Sequence, residues 1–196
     1  MVLVTSTGTS DGKTVTVANL GIAAAKDGSY PLLIDADERA RGLSRLAGLN
    51  ERPGITDLTV NGESMSDVIS TWDAGGTELM VVPAGSRIEG NTPSYFRSMA
   101  FREALPKLTV GRDLVLIDAP PILAVSETMD LAAIADGVVL VVQPMTPLKE
   151  LEAAREQLHM VGTPLLGYVY NSETERSEYG YYGYGYGYGY GHGEDD

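Results

Sequence analysis

The sequence predicts an α/β fold in which a mostly parallel sheet is flanked by helices and followed by a disordered C-terminal tail. Two observations predict the sheet: short apolar, β-branched runs recur along the chain, and stretches with helical character separate them. A third observation predicts the tail, because this alternation ends after Asn171 and a glycine and tyrosine repeat follows. We therefore expect one folded domain over residues 1–171 and a flexible tyrosine-rich tail over residues 172–196.

The apolar runs predict six strands. Within each run, apolar residues are continuous instead of alternating with polar ones, which is typical of strands that are buried on both faces. Such strands occur in parallel sheets, whose crossover connections are right-handed. The six runs are residues 2–6, 31–37, 78–85, 113–120, 137–144 and 164–171.

Helices are expected between the strands. Segment 13–26 has its apolar residues on one face, and segment 127–136 is rich in alanine. Segments 93–105 and 147–161 open with proline, which is favoured at the first position of a helix. The long connection over residues 39–72 is expected to hold two short helices.

The net charge is negative on both predicted parts of the chain. The formal charge is −13; six acids and Arg176 in residues 172–196 contribute −5, which leaves −8 on residues 1–171. An acidic body repels phosphate backbones and anionic lipid. We therefore expect no nucleic-acid partner and no binding to bare membrane.

Cysteine and histidine usage excludes further classes of site. The absence of cysteine excludes disulfides, thiolate catalysis and cysteine-based metal sites, and His159 and His192 are far apart in sequence. The chain begins in an apolar run that leaves no room for a signal peptide, and no apolar run approaches the roughly 20 residues that span a bilayer. We expect a cytoplasmic location, and the abrupt start suggests a missing upstream segment.

The segment between the first predicted strand and the first predicted helix has the pattern of a phosphate-binding loop, or P-loop. It reads TSTGTSDGKT, with Thr7 where the pattern G-x-x-x-x-G-K-[ST] has its first glycine. In such a loop, backbone N–H groups bind phosphate oxygens, the lysine reaches the β- and γ-phosphates, and the threonine ligates Mg²⁺. The alternative is an ordinary turn with a surface lysine. We predict nucleotide contacts from Gly8, Thr9, Ser10, Asp11, Gly12, Lys13, Thr14 and Val15.

Three acidic residues follow predicted buried strands. Asp35 and Asp37 lie at or just beyond the end of one strand, and Asp118 ends another. Two carboxylates two residues apart can share a metal, or one can accept a proton while the other binds the metal. The alternative for any one acid is a helix N-cap or a solvated side chain. Together with the loop, the three acids indicate Mg²⁺ and a nucleotide, and hence a P-loop sheet.

Over essentially the whole chain, these motifs resemble the cytoplasmic catalytic domain of the bacterial tyrosine kinases (BY-kinases) of capsule and exopolysaccharide type. This family lies within the MinD/ParA-like P-loop ATPases. STGTSDGKT corresponds to the Walker A motif, LLIDADER to Walker A′ and LVLIDAPP to Walker B, and the tyrosine cluster follows. The signature lysine of the MinD/ParA proteins near the loop start is absent, which favours the kinase branch.

The resemblance implies roles for individual residues, with ATP and Mg²⁺ as cofactors. It assigns phosphate binding to Lys13, Mg²⁺ binding to Thr14, activation of a tyrosine hydroxyl to Asp35, and support of the metal to Asp37 and Asp118. Lys13 and the three acids are thus the expected catalytic residues. Asn171 matches an asparagine that contacts the adenine edge in the superfamily, and an Asn-Ser turn is an equally good interpretation of it.

The resemblance also gives the tail a function as the phosphoacceptor of an autokinase. The sixth predicted strand should end on the same edge of the sheet as the P-loop, so the tail leaves the body at that edge and can approach its own site or a neighbour's. Phosphates would add on the order of ten negative charges and loosen an oligomer. The alternative, a strand with tyrosines on one face, is disfavoured by the glycines. The expected acceptors are Tyr179, Tyr181, Tyr182, Tyr184, Tyr186, Tyr188 and Tyr190.

Partners are likewise implied by the resemblance. They are a transmembrane polysaccharide co-polymerase or activator that recruits the kinase to the inner face of the membrane, a phosphotyrosine phosphatase, and further copies of the chain. A homo-oligomeric ring is expected if the family's upstream helix is present, because that helix carries the ring contact.

The sequence departs from the family pattern in two places. Thr9, Ser10 and Asp11 stand where proline, glycine and often glutamate are common, and a carboxylate at position 11 is expected to weaken nucleotide binding. Arg41 replaces a common proline. Two other functions therefore stay open: a MinD/ParA-like regulatory ATPase, and a non-catalytic nucleotide-binding scaffold with an adhesive tail.

Overall fold

The computed structural model describes residues 1–87 and 95–172. The predicted tail beyond residue 172, with its seven candidate acceptor tyrosines, lies outside the described residues, so the division into domain and tail stays a prediction. Within the described ranges, no helix is both long and apolar enough to cross a membrane.

The core of the fold is a seven-stranded sheet in the order β3-β4-β2-β5-β1-β6-β7. Six strands are parallel and β3 is antiparallel to β4, which confirms the predicted α/β class. The strands are β1 (Val2–Ser6), β2 (Pro31–Asp35), β3 (Ser70–Asp73), β4 (Glu78–Val82), β5 (Leu114–Asp118), β6 (Gly137–Val142) and β7 (Leu165–Tyr170).

Helices cover both faces of the sheet. Val17 of α1 and Leu43 of α2 pack on one face, and helices α4 to α6 pack on the other through residues such as Phe101 and Leu158. The helices are α1 (Lys13–Lys26), α2 (Gly42–Leu46), α3 (Met65–Val68), α4 (Met99–Thr109), α5 (Glu127–Ala132) and α6 (Leu148–Val161). A π-helical turn (Asp57–Asn61) and a 3₁₀ turn (Tyr95–Arg97) complete the list.

The helix predicted over residues 93–105 begins later than expected. Residues 95–97 form the 3₁₀ turn, and α4 begins at Met99 because Ser98 caps it: the Ser98 hydroxyl accepts a hydrogen bond of 3.1 Å from the Phe101 N–H. The prediction of one helix is therefore wrong over residues 95–98, because the side-chain cap at Ser98 starts α4 there, and residues 93 and 94 lie outside the described residues.

The connection over residues 39–72 holds α2 and α3, as expected, but it also contains a strand that was not predicted. β3 forms a hairpin with β4 and is the edge of the sheet. Its sequence STWD lacks a continuous apolar run because only one face of this edge strand is covered: Ser70 is buried and Thr71 is exposed.

The other edge strand, β7, corrects a prediction. Its apolar sequence indicated burial on both faces, but half-buried and exposed residues alternate along it, and Tyr168 and Tyr170 are exposed. An apolar run shows that a segment is suited to a sheet, but its burial also depends on its neighbours. β7 is the last strand of the sheet and has a neighbouring strand on one side only. Its direction is as predicted: β6 and β7 are parallel, so β7 ends at the same edge as the P-loop.

Candidate active site

The P-loop connects β1 to α1 and needs glycine at position 12. Gly12 has φ = +93°, in the left-handed region, and a Cβ atom there would lie 2.1 Å from Nδ2 of Asn171. The loop therefore combines a backbone shape that glycine adopts readily with close packing against the end of β7.

Two side-chain amides hold the outer side of this loop. Gln143 Nε2, just beyond β6, donates a hydrogen bond of 3.0 Å to the carbonyl of Ser10, and Asn171 Nδ2 donates one of 3.1 Å to the carbonyl of Asp11. We call this pair the amide clamp. Because the clamp holds these two carbonyl groups, it fixes the orientation of the loop peptides. The N–H groups of such a loop are the ones that bind phosphate. The sequence did not indicate Gln143, and it left Asn171 between an adenine contact and an Asn-Ser turn.

The departures from the family pattern have a structural account. Ser10 has φ = +61°, so the position does require the left-handed conformation that the family's glycine adopts readily. The Asp11 carboxylate accepts a hydrogen bond of 3.0 Å from Gly8 N–H; the expected weakening of nucleotide binding stays a prediction. Arg41 has φ = +51° and its N–H bonds the Asp37 carbonyl at 2.6 Å, and proline supplies neither that angle nor that donor.

Lys13 lies across the loop instead of extending into solvent. Its side chain is buried, and Nζ donates hydrogen bonds to Ser6 Oγ at 3.0 Å and to the Gly8 carbonyl at 3.4 Å. Burial lowers the pKa of Lys13, while the charges of Asp118 and Asp37 act in the opposite direction. The ammonium is thus held within the loop that would bind phosphate, where a γ-phosphoryl group would meet it.

Asp118 and Thr14 form the part of the site that fits a divalent cation. Thr14 Oγ1 donates a hydrogen bond of 2.7 Å to Asp118 Oδ2, while Asp118 Oδ1 is buried and has no partner. Burial, followed by the charge of Asp35, raises the pKa of Asp118 to about 7. A cation at this position would neutralise the carboxylate and satisfy the orphaned oxygen.

The ligands at this position suit Mg²⁺, which takes part of its coordination shell from water and phosphate, better than a metal ion whose ligands all come from the protein. Within residues 1–87 and 95–172, no group of three or more His, Asp or Glu side chains is placed to hold a metal ion. Mg²⁺ commonly binds through one or two carboxylates and completes its shell with water and substrate phosphates. Gly42 leaves room beside Thr14, since a Cβ atom at position 42 would lie 2.3 Å from Thr14 Oγ1.

Asp35 is the most enclosed acid of the site. It is fully buried and accepts three hydrogen bonds: from Ser44 N–H at 2.8 Å, Ser44 Oγ at 2.7 Å and Asp37 N–H at 3.1 Å. Burial raises its pKa, and the bonds from Ser44 act in the opposite direction. Ser44 Oγ in turn accepts from Ala84 N–H at 2.9 Å, so Asp35 ties α2 and the end of β4 to the site. No pattern in the sequence indicates this role of Ser44.

Asp37 begins the loop that leads to α2. Its Oδ1 accepts a hydrogen bond of 2.8 Å from Ala40 N–H, and the side chain is 7% exposed, so it retains a narrow contact with solvent. Its charge acts on Lys13, which places the two groups in one electrostatic site. Asp35 and Asp118 are directly paired in register across β2 and β5, so all the predicted acids meet at one edge of the sheet.

Chemically, the site combines a buried ammonium, a loop of oriented amides, a hydroxyl and carboxylates. This combination can bind a polyphosphate with its metal and stabilise charge that moves between phosphate oxygens.

Comparison with known proteins gives consistent matches over most of the chain. A family model described as an AAA domain matches residues 4–160. The tyrosine-protein kinase YwqD of Bacillus subtilis is 34% identical over 184 residues, covering 92% of this chain and 76% of YwqD. The tyrosine-protein kinase wzc of Salmonella typhimurium is 29% identical over 187 residues, covering 93% of this chain and 26% of wzc, so the chain spans about a quarter of that longer relative.

Solved structures show the same relationship in three dimensions. The kinase domain of VpsO superposes with a TM-score of 0.80 at 28% identity, covering 88% of this chain and 84% of that domain. MinD from Pyrococcus horikoshii, solved with Mg-ADP, matches with a TM-score of 0.72 at 22% identity over 90% of this chain and 71% of MinD, which is a likeness of fold alone.

Proposed function

The chain belongs to the bacterial tyrosine-protein kinases, and from this premise we propose that it is an autokinase that phosphorylates tyrosines of its own or a neighbour's C-terminal cluster. The acceptors would be the seven tyrosines of residues 179–190. The observation that carries the proposal is the Thr14–Asp118 pair, with its unpartnered buried oxygen, next to the buried Lys13.

Lys13 and the P-loop amides would bind the phosphates of ATP, and the amide clamp would keep those amides oriented. Thr14, Asp118 and Asp37 would hold Mg²⁺, which when bound neutralises charge on the β- and γ-phosphates. In-line transfer then depends on positioning and charge neutralisation more than on covalent chemistry by the protein. Asn171 stays a candidate for the adenine contact, in addition to its bond with the loop.

Removal of the tyrosine proton is proposed for Asp35. The hydroxyl of tyrosine has a pKa near 10, so an acceptor that orients it assists the transfer. Asp35 Oδ1 accepts one of the three hydrogen bonds and keeps a lone pair for a further donor, but the side chain is fully buried, so a neighbouring group would have to move before a tyrosine hydroxyl could reach it. Single-turnover phosphate transfer by two variants, Asp35→Asn and Ser44→Ala, separates two roles of Asp35. Both variants weaken the support of α2, but only Asp35→Asn removes the proton acceptor.

The cellular setting is proposed from the same family membership. The partners would be a transmembrane polysaccharide co-polymerase or activator, a phosphotyrosine phosphatase and further copies of the chain. The process under control would be synthesis and export of capsule or exopolysaccharide. The activator would hold the kinase at the inner face of the membrane.

Intact-mass spectrometry after incubation with MgATP tests the proposal. A ladder of phosphate additions should appear for the wild-type chain but not for Lys13→Met or for a chain truncated after residue 177. If ATP is hydrolysed without a ladder, even with the activator's cytoplasmic segment present, the chain is a regulatory ATPase. If it neither transfers nor hydrolyses, it is a scaffold.

A further inference from the structure

A buried carboxylate lies in the P-loop, and the proposed function does not use it. The side chain of Asp11 is 7% exposed, and its Oδ2 accepts a hydrogen bond of 3.0 Å from Gly8 N–H. Asp11 forms no salt bridge with any residue that the structure describes. Burial of a charged group disfavours folding unless hydrogen bonds or opposite charges compensate. The chain thus holds a negative charge in the loop that would receive the phosphates of ATP.

The hydrogen bond from Gly8 closes one turn of the loop. Asp11 holds the N–H of Gly8, while the carbonyl of the same residue accepts hydrogen bonds from Lys13 Nζ at 3.4 Å and from Ser6 Oγ at 2.5 Å. Side chains on both sides of Gly8 therefore fix the shape of the loop. The bond from Gly8 N–H needs an acceptor oxygen, which an asparagine amide also provides. The shape of the loop therefore does not require the negative charge of Asp11.

The charge of Asp11 acts on the group that would meet the phosphates. Burial lowers the pKa of Lys13, and the charges of Asp118, Asp37 and Asp11 oppose that change. Charges interact more strongly in a poorly solvated site than in water. The N–H of Asp11 is also one of the loop amides expected to contact the nucleotide, and a phosphate oxygen bound there would lie about 3 Å from the nitrogen of the same residue. The carboxylate would therefore repel a phosphate group in this loop.

Mg²⁺ changes the size of this repulsion. Metal-free ATP carries about four negative charges at neutral pH and its magnesium complex about two, and the repulsion scales with the charge. The carboxylate therefore lowers the binding free energy of metal-free ATP about twice as much as that of MgATP. By linkage, the same charge strengthens the coupling between nucleotide binding and Mg²⁺ binding.

We propose that Asp11 is a specificity-determining residue: its carboxylate braces the P-loop through Gly8 and selects the metal-bound form of the nucleotide over the metal-free form. The proposal rests on nucleotide binding in the P-loop, which is part of the proposed function, and is independent of phosphate transfer to tyrosine. The acid then keeps the site from being occupied by nucleotide that lacks the metal on which transfer depends.

Equilibrium binding of a non-hydrolysable ATP analogue tests the selection, by isothermal titration calorimetry with excess Mg²⁺ or with EDTA. Asp11→Asn keeps an acceptor oxygen for Gly8 N–H and removes the charge. It should bind the analogue about tenfold more tightly than the wild-type chain in EDTA, but only about threefold more tightly with Mg²⁺, since the effect on the binding free energy is halved. Equal changes in the two conditions, no change, weaker binding, or no measurable binding of Asp11→Asn in EDTA overturns the selection.

Salt separates repulsion from a new hydrogen bond made by the asparagine. Counterions screen repulsion, so the difference between the two chains in EDTA should shrink as NaCl is raised from about 0.05 M to about 0.5 M. A difference that does not depend on salt overturns the selection.

The matched control removes an acid at the other end of the same helix. Asp27 is exposed and follows the last residue of α1, about 20 Å from Lys13 along the helix axis. Asp27→Asn changes the net charge of the chain equally and should leave both affinities unchanged. An effect as large as that of Asp11→Asn would show that net charge decides the affinity, and overturns the role of Asp11.

The brace is tested by Asp11→Ala, which removes both the charge and the acceptor. With Mg²⁺ it should bind the analogue about two- to tenfold more weakly than Asp11→Asn and unfold at a lower urea concentration, because Gly8 N–H loses its partner. Equal affinity and equal stability of the two variants overturn the brace.

Failure of the proposed function is distinguishable from failure of this proposal. If the expected affinity changes occur in a chain that transfers no phosphate to tyrosine, the proposed function alone fails. If the wild-type chain does not bind the analogue even with Mg²⁺, both fail.

Discussion

Charged side chains differ in exposure between the two ends of the strands, which we call the carboxyl edge and the amino edge of the sheet. At the carboxyl edge Lys13, Asp35, Asp37 and Asp118 are each at most 8% exposed. At the amino edge Asp113 is exposed, and the side chain of Asp136, which pairs with the chain's amino terminus, is 82% exposed. Burying an ion costs several kcal/mol unless partners compensate. The four charged groups of the candidate site are therefore buried, whereas these two acids at the amino edge lie in water, which identifies the carboxyl edge as the place of chemistry.

The largest expected effect is loss of catalysis when the buried ammonium is removed. Lys13→Met should lower phosphate transfer to the tail at least about a thousandfold, because no other cation sits within the loop. Lys107→Met, in the last turn of α4 near the amino edge, is the control and should retain wild-type activity. Radiolabel on tyrosine measures both. Equal losses in the two variants would break the distinction between the edges.

A second prediction compares Asp118, the last residue of β5, with Asp113, which directly precedes the strand. The folded-state pKa of Asp118 is about 7, above the ordinary value of 3.8, so between these pH values the folded chain binds more protons than the unfolded chain. Without Mg²⁺, the free energy of unfolding should fall as pH rises from about 4 to about 7, by up to about 4 kcal/mol from Asp118. Asp118→Asn should flatten this dependence.

Asp113 is exposed and directly precedes the same strand, so Asp113→Asn is the control and should decline with pH as the wild type does. Urea unfolding at several pH values measures the three proteins. A wild-type curve that does not decline over this range, or an Asp118→Asn curve that declines equally, would contradict the prediction.

Two glycines with positive φ, one at each edge of the sheet, allow the same comparison to be made for the backbone. Gly12→Ala should lower the free energy of unfolding by about 2–3 kcal/mol, because a left-handed residue is strained and its Cβ would also collide with Asn171. Gly111, in the turn before β5, has φ = +71° but open space around it, so Gly111→Ala should lose only about 1 kcal/mol. Urea unfolding should rank the two in this order; equal losses would show that the contact with Asn171 is unimportant.

The smallest expected effect concerns the amide clamp. Gln143→Ala removes one hydrogen bond to the P-loop and should raise KM for ATP about two- to tenfold with little change in kcat, because one such bond contributes about 0.5–1.5 kcal/mol. Gln157→Ala on α6 is the matched control and should leave KM unchanged. Initial rates over a range of ATP concentrations distinguish this result from a general loss of activity, in which kcat would fall too.

Prediction from sequence succeeded where the information is local. The bounds of α1 follow from a glycine-containing loop and one apolar helix face, and the six predicted strands are all present. It failed where a neighbour decides the outcome. β3 was missed and the burial of β7 was overestimated, because both are edge strands whose exposure depends on what pairs beside them. The start of α4 was misplaced by the competing cap at Ser98.

The sequence by itself determined the class of fold, the phosphate-binding loop and the acids at strand ends, because each depends on residues that are close together along the chain. Only the tertiary structure decided which distant groups complete the site: Gln143 on the P-loop and Ser44 on Asp35. These contacts follow from the order and parallel register of the strands, which bring carboxyl ends together from segments up to 160 residues apart. Local spacing carries no information about that order.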